Sequence, residues 1–253
     1  MKHRKNEVEK IIKQIREVLN ANRETDPERI SLFNSIIPGC RNPLIVKTPV
    51  LVKLSREIWM NYKQELDFIL DLSYILWHEN EYYEENKIAI FLLEKYVKKI
   101  PENILQRIET YFPLLYTWDL VDQFGMRICS ELLKNNFKCI KIFSTWIVSS
   151  DFWIRRLSLV SLVGLRNKKL TTDQWIVIEK MLKKLWEDDE YYVYKAMAWC
   201  LRELSKLNSD KVASFLKQSL TQKSDKKHIN RSFIKTCIKK LSSSEQLKIL
   251  SLL

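Results

Sequence analysis

Apolar residues recur at helical spacing from one end of this chain to the other, and almost no stretch alternates as a strand would. Val8, Ile11, Ile12, Ile15, Val18 and Leu19 make such a stripe in the first segment, and Ile88, Phe91, Leu92 and Tyr96 make one in a later segment. Breaks fall at short turns such as Ile100-Pro101-Glu102-Asn103, Lys134-Asn135-Asn136, Arg166-Asn167-Lys168-Lys169 and Asn208-Ser209-Asp210, several of which offer an Asn, Ser or Asp to cap the next helix. The expected fold is all-α. From residue 64 onward the helices arrive as pairs: 64–77 with 82–99, 102–111 with 117–135, 137–147 with 150–165, 171–186 with 189–207, and 209–220 with 229–241. A recurrence of roughly 35–40 residues per pair lies in the range of HEAT and armadillo-like repeats, so the spacing predicts a curved α-solenoid of antiparallel helix pairs. An irregular helical bundle is the alternative. The whole of 1–253 reads as one domain: N-terminal helices and a proline-containing loop over 1–50, then stacked pairs over 51–253 ending in a basic stretch. The loop, from Asn34 through Pro38-Gly39-Cys40-Arg41-Asn42-Pro43 to Thr48-Pro49, holds three of the six prolines and one of the three glycines, and long loops of this kind are commonly functional.

With only Gly39, Gly125 and Gly164, the 253 residues contain no phosphate-binding glycine loop, which excludes dinucleotide enzymes and P-loop NTPases. The five cysteines are scattered without a C-x-x-C, and His3, His78 and His228 have no companions at ligand spacing, so reduced thiols and no metal are expected. The N-terminus leads into a charged amphipathic helix, and the apolar runs fall short of a membrane span, so a cytoplasmic protein is expected. Net charge is +12, concentrated at the ends: ten basic and two acidic residues over 211–253, seven and three over 1–23. Nucleic acid therefore leads the partners, although lysine-rich surface alone also accounts for part of that excess.

Three segments carry chemistry. The first opens a helix at Tyr116-Thr117-Trp118-Asp119-Leu120-Val121-Asp122-Gln123-Phe124. With Val121 at the centre of a helical wheel, Phe124, Gly125, Ile128 and Leu132 fall within about 60° of it, whereas Trp118 lies near about +60° and Asp122 near about +100°. An aromatic ring and a carboxylate thus share a flank off the core. Asp119 sits in the first turn, where the helix dipole favours a carboxylate, and its expected role is that of an N-terminal charge.

The second segment runs from Tyr192 to Leu204, with Val193, Ala196, Met197, Cys200, Leu201 and Leu204 as core and Lys195, Trp199 and Arg202 opposite. A tryptophan flanked by two cations suits a nucleic-acid backbone or a cationic base; packing under a neighbouring repeat would suit the ring equally. The third, Ser150 to Val163, is apolar nearly all round and belongs in the interior. Its Arg155 and Arg156 stand at the positive end of the dipole, where they require an anion, either a carboxylate such as Asp151 or a phosphate.

Together these segments, Trp118-Asp119-x-x-Asp122, Phe152-Trp153-Ile154-Arg155-Arg156 and Lys195-Ala196-x-x-Trp199-x-Leu201-Arg202-Glu203, resemble the AlkD-like DNA glycosylases, HEAT-repeat enzymes that excise alkylated purines. Weaker echoes are the Pro38-Gly39 to Pro43 loop, Tyr83-Glu84 with Lys87-x-Ala89, and Arg231 opening the last long helix; the likeness spans roughly Ile30 to Leu241. It implies a concave cleft with catalytic Trp118, Asp122 and Trp199, and DNA contacts from Lys195, Arg202, Arg231 and the Arg155–Arg156 pair, Arg156 being the preferred match. It further implies a monomer without metal or cofactor, acting on duplex DNA that carries N3- or N7-alkylated purines. The lesion is then held through its backbone without base flipping. Tyr194 stands where relatives carry a basic residue, Ala198 where they carry glycine and Cys200 where they carry a small residue. The basic C-terminal residues Lys211, Lys217, Lys223, Lys226, Lys227, Arg231, Lys235, Lys239 and Lys240 would contact phosphates without reading sequence. A catalytically silent module binding damaged or branched DNA is the alternative, as is a solenoid scaffold for protein partners.

Overall fold

A computed structural model describes residues 2–166, 168–221 and 229–253, and among these residues every regular element is helical. The chain divides into two compact units, 1–128 and 129–253.

The first unit contains α1 (Lys2–Ala21), α2 (Pro27–Ile36), α3 (Thr48–Tyr62), α4 (Leu66–His78), α5 (Tyr83–Val97), α6 (Pro101–Leu105), a 3₁₀ segment Ile108–Leu114 and α7 (Trp118–Phe124). The amphipathic stripe of α1 is buried at Val8, Ile11, Ile15 and Leu19, and the helix lies on α4. α5 packs on α4, α3 and α7, and is accordingly buried on all sides, including the polar Glu84, Glu85 and Asn86 of its first two turns. Each of these has a partner: Glu85 takes Arg16 of α1 at 2.9 Å, and the Asn86 amide donates to Trp77 O at 3.0 Å.

The second unit contains α8 (Ser130–Asn135), α9 (Ile140–Phe143), α10 (Phe152–Val163), α11 (Thr172–Leu185), α12 (Tyr191–Leu204), α13 (Ser209–Thr221), α14 (Arg231–Ile238) and α15 (Ser243–Leu250), with short 3₁₀ turns at Phe137–Cys139 and Trp146–Val148. α12 packs on both α10 and α14, so alternate helices form one layer, as stacked helix pairs require. α10 is buried without a break from Arg156 to Val163, in keeping with its apolar circumference.

Helix pairs 64–77/82–99 and 171–186/189–207 agree with α4/α5 and α11/α12 within a few residues. The expected helices 150–165, 209–220 and 229–241 likewise correspond to α10, α13 and α14, whereas those between 102 and 147 are more broken than periodicity suggests. Pro113 lacks the N–H that an α-turn requires, and residues 108–114 adopt 3₁₀ geometry. The expected helix 117–135 passes through a π-helical segment at Gly125–Cys129, and 137–147 is divided between 3₁₀ and α turns. In the last pair, α14 packs mainly on α12, while α13 lies against α15.

Candidate nucleic-acid site

α7 begins where Thr117, in extended conformation, accepts the Leu120 N–H on its hydroxyl. Leu120, Val121 and Phe124 are fully buried, which leaves Trp118 and Asp122 half-exposed on the same flank, as the helical wheel requires. The Trp118 ring is fixed: its indole N–H donates to Ile36 O, the last carbonyl of α2, at 2.8 Å. Asp119 is turned towards α5 and is 8% exposed. Its Oδ2 accepts the Tyr83 hydroxyl at 2.6 Å and lies 3.2 Å from the Lys87 ammonium, both donors belonging to α5. Burial, then the adjacent Asp119 charge, pushes the Tyr83 hydroxyl far above its ordinary pKa, so it remains a donor. Asp119 is thus committed to the interior, and its role extends beyond the N-terminal charge expected of it.

The proline-containing loop meets the same end of α5. Leu44 N and Val46 N donate to the two carboxylate oxygens of Glu84 at 3.1 and 3.2 Å, the Asn42 amide donates to Glu81 O at 2.7 Å, and Tyr83 N donates to Asn42 O at 3.4 Å. Gly39, Asn42 and Ile45 all take positive φ, at 77°, 45° and 60°. Glycine tolerates that region and Asn visits it, but β-branched Ile45 is strained there. Ile45 lies between the two N–H groups that Glu84 gathers, so the carboxylate stabilises the strained turn. The Arg41 guanidinium stands 4.3 Å above the Tyr116 ring, next to α7. Burial, with Glu84 and Asp119 nearby, pushes the Cys40 thiol up to about 12. The sequence echoes at 38–43, 83–87 and 118–122 therefore converge in the first unit.

In the second unit Asp151 caps α10 by accepting the Trp153 N–H at 2.8 Å. The anion beside Arg155 is Asp188, at 2.6 Å from Nε, and Nη1 donates to Ser149 O and Ser150 O at 2.9 and 3.1 Å. Arg156 is 6% exposed and donates from Nη1 to Tyr192 O at 2.5 Å, joining α10 to the first turn of α12. At the same place Phe152 stacks with Tyr192 and Trp153 lies tilted against it. Along α12 the six expected core residues are buried; Lys195 is exposed, and Trp199 and Arg202 are half-exposed. The Lys195 ammonium lies 5.4 Å over the Tyr191 ring, and Arg202 Nε is 3.4 Å from Glu203. Tyr194 packs edge-on to Phe233, and Ala198 and Cys200 are buried, so the three departures from the family pattern serve packing here.

Arg231, Lys211, Lys235, Lys239 and Lys240 are exposed, whereas Lys217 pairs with Glu245 at 2.6 Å; Lys223, Lys226 and Lys227 lie outside the described residues. Among the described residues no helix is long and apolar enough to cross a membrane, and no group of three His, Cys, Asp or Glu side chains gathers as a metal site.

Two solved structures are similar: a predicted DNA alkylation repair enzyme from Enterococcus faecalis (TM-score 0.69, 19% identity, 87% of this chain and 98% of that one) and AlkD2 from Streptococcus mutans (TM-score 0.56, 20% identity, 75% and 89%). At these identities the likeness establishes a shared all-helical fold. No curated protein matches the sequence. The family model described as DNA alkylation repair enzyme matches residues 6–241, and the chain belongs to that family.

Proposed function

We propose that this protein is a DNA glycosylase that hydrolyses the N-glycosidic bond of cationic N3- and N7-alkylated purines in duplex DNA. The observation that carries the reading is the different fate of two carboxylates one turn apart. Asp119 is buried against Tyr83 and Lys87, while Asp122 is half-exposed beside an immobilised tryptophan.

Alkylation at N3 or N7 gives the purine a formal positive charge, so the base leaves neutral and requires no protonation. The C1′–N9 bond breaks with its electron pair going to the base, and the deoxyribose becomes oxocarbenium-like. A fixed carboxylate at Asp122 stabilises that cation and orients water for addition to C1′, the water proton passing to the carboxylate or to solvent. The Trp118 face holds the sugar and attracts the positive charge. In residues 129–253, Trp199 flanked by Lys195 and Arg202 supplies a further aromatic and cationic contact to the DNA backbone, with the exposed Arg231 as an additional cation, whereas the buried Arg156 joins α10 to α12. Lesion choice then follows leaving-group lability more than base shape, and the base need not be flipped.

The test is release of free base from duplex DNA carrying 7-methylguanine or 3-methyladenine, with Asp122→Asn beside the wild type. Release that falls on the order of 100- to 1,000-fold in the variant, with DNA affinity retained, is expected. Tight binding by the wild type without release would return the protein to a silent DNA-recognition module.

A further inference from the structure

We propose that Lys87 and Tyr83 are positioning residues, which act through Asp119 to set the rotation of α7 and so the direction in which Trp118 and Asp122 point. Only the expected effect on base release rests on the glycosylase reading.

Tyr83 and Lys87 are one turn apart on α5 and converge on a single oxygen of Asp119. The ion pair is nearly enclosed, with Lys87 and Asp119 side chains 13% and 11% exposed. Such a pair is a poor source of stability, because desolvating both charges offsets most of their attraction. Its consequence here is directional. Side chains at 118 and 122 share a flank, and 119 projects about 100° from 118. The first turn of α7 is therefore held at two azimuths, by the Trp118 indole on Ile36 O and by Asp119 on α5. A helix tied at one azimuth can roll about its axis; one tied at two cannot.

The other end of α7 is held by apolar packing, with Phe124 against Trp77 and Tyr111. The helix is seven residues long and runs into the π-helical segment Gly125–Cys129. Insertions of this type cluster at functional positions, and they change the rotation per residue. The polar ties from Lys87 and Tyr83 bear on the N-terminal turn, one turn before Asp122, and so on the azimuth from which Asp122 departs. Lys87 is kept from the solvent by the same packing that buries Tyr83, whose ring lies 5.8 Å from the ammonium. Neither is assigned a contact with DNA.

The experiment uses the full chain and has two readouts. In ¹⁵N-labelled protein the Trp118 indole N–H is identified by its loss in Trp118→Phe. In Lys87→Met and Tyr83→Phe it is expected to shift and to lose hydrogen-exchange protection on the order of tenfold. In base release, Lys87→Met is expected to lower kcat on the order of 100-fold with KM within about twofold, and Lys87→Arg to recover most of the loss. Added to Asp122→Asn, Lys87→Met is expected to cause a further fall of less than about tenfold, because most of its effect passes through Asp122 and only the part carried by Trp118 remains.

An indole signal unchanged in both variants overturns the proposal, as does a double variant slowed by the product of the single effects. Tyr83→Phe removes one oxygen and preserves the packing, so the indole readout stands even if Lys87→Met fails to fold. Absence of base release by the wild type would remove the glycosylase reading alone, and the indole signal would still decide whether α7 is positioned from α5.

Discussion

Glu84→Gln is the most discriminating change available in the loop that follows α2. Glu84 is 2% exposed, and each of its carboxylate oxygens accepts one backbone N–H, from Leu44 at 3.1 Å and from Val46 at 3.2 Å. Glutamine has the same shape but one acceptor, so its NH₂ must face one of those N–H groups. A hydrogen bond to a charged acceptor contributes about 1.5–3 kcal/mol, and a buried donor left facing a donor adds about 1 kcal/mol, giving a gross loss of about 3 kcal/mol. Release of the strained turn at Ile45, where φ is 60°, returns about 1 kcal/mol. The net loss is about 2 kcal/mol, which at a urea slope of about 2 kcal/mol per M lowers the unfolding midpoint by about 1 M. Glu84→Ala loses both bonds and should fall further. The loop begins where α2 ends, and Ile36 O holds the Trp118 indole, so the folded Glu84→Gln protein should also release base more slowly than the wild type. Circular dichroism against urea provides the first measurement and limited proteolysis at 37–47 the second. Midpoints within about 0.3 M of wild type for both variants would refute the assignment of Glu84 as the group that holds the loop.

Arg155→Met removes a partly buried partner of Asp188 and should destabilise the protein by about 2–4 kcal/mol while leaving DNA affinity at fixed salt within about twofold. Loss of more than about tenfold in affinity at unchanged Tm, read by fluorescence anisotropy, would place Arg155 on the DNA instead. Alkaline stability provides a second check. Burial raises the Cys40 thiol from 9.0 to about 12 and the Tyr116 hydroxyl from 10.0 to about 12. The unfolded chain gives up these protons first, so their contribution is complete below pH about 9 and is lost as pH rises towards about 12. Tm should therefore fall between pH 8 and pH 10.5, less steeply in Cys40→Ser; an equal slope in that variant would remove the thiol from the account.

Much of the fold is legible in the sequence because burial and periodicity are the same fact viewed twice. The stripe Val193, Ala196, Met197, Cys200, Leu201, Leu204 is buried as its spacing requires, and Trp118 and Asp122 stand off the core at the angle that the wheel assigns. The breaks are less legible. Over five residues, a period of 3.6 cannot be distinguished from the 3.0 of residues 108–114 or from the wider turn at Gly125–Cys129, because each permits a similar apolar spacing. Pro113 was the one local signal of the first break. Gly125, followed by the uninterrupted apolar pattern of Ile128 and Leu132, gave none for the second.

The candidate site divides along the same line. A wheel angle states which side of a helix a residue occupies and nothing of what stands opposite. Asp119 and Asp122 could be separated because Asp119 stands in the first turn of α7, where the dipole favours a carboxylate, whereas the partners of Asp119 lie more than thirty residues earlier, on α5. Arg155 and Arg156 could not be separated, since both face inward from an all-apolar helix and only Asp188 and Tyr192 O distinguish them. One long-range signal was present. Glu84, Glu85 and Asn86 open a helix whose next turns, Ile88 to Leu93, are apolar on every side, and consecutive polar residues at buried positions require partners from elsewhere in the chain. Those partners are the 44–46 backbone, Arg16 and Trp77 O, which link the N-terminal loop, α1 and α4 to the same end of α5 that fixes α7. Polar residues within an apolar helix thus mark the scaffold behind the candidate site more reliably than the exposed residues mark the site itself.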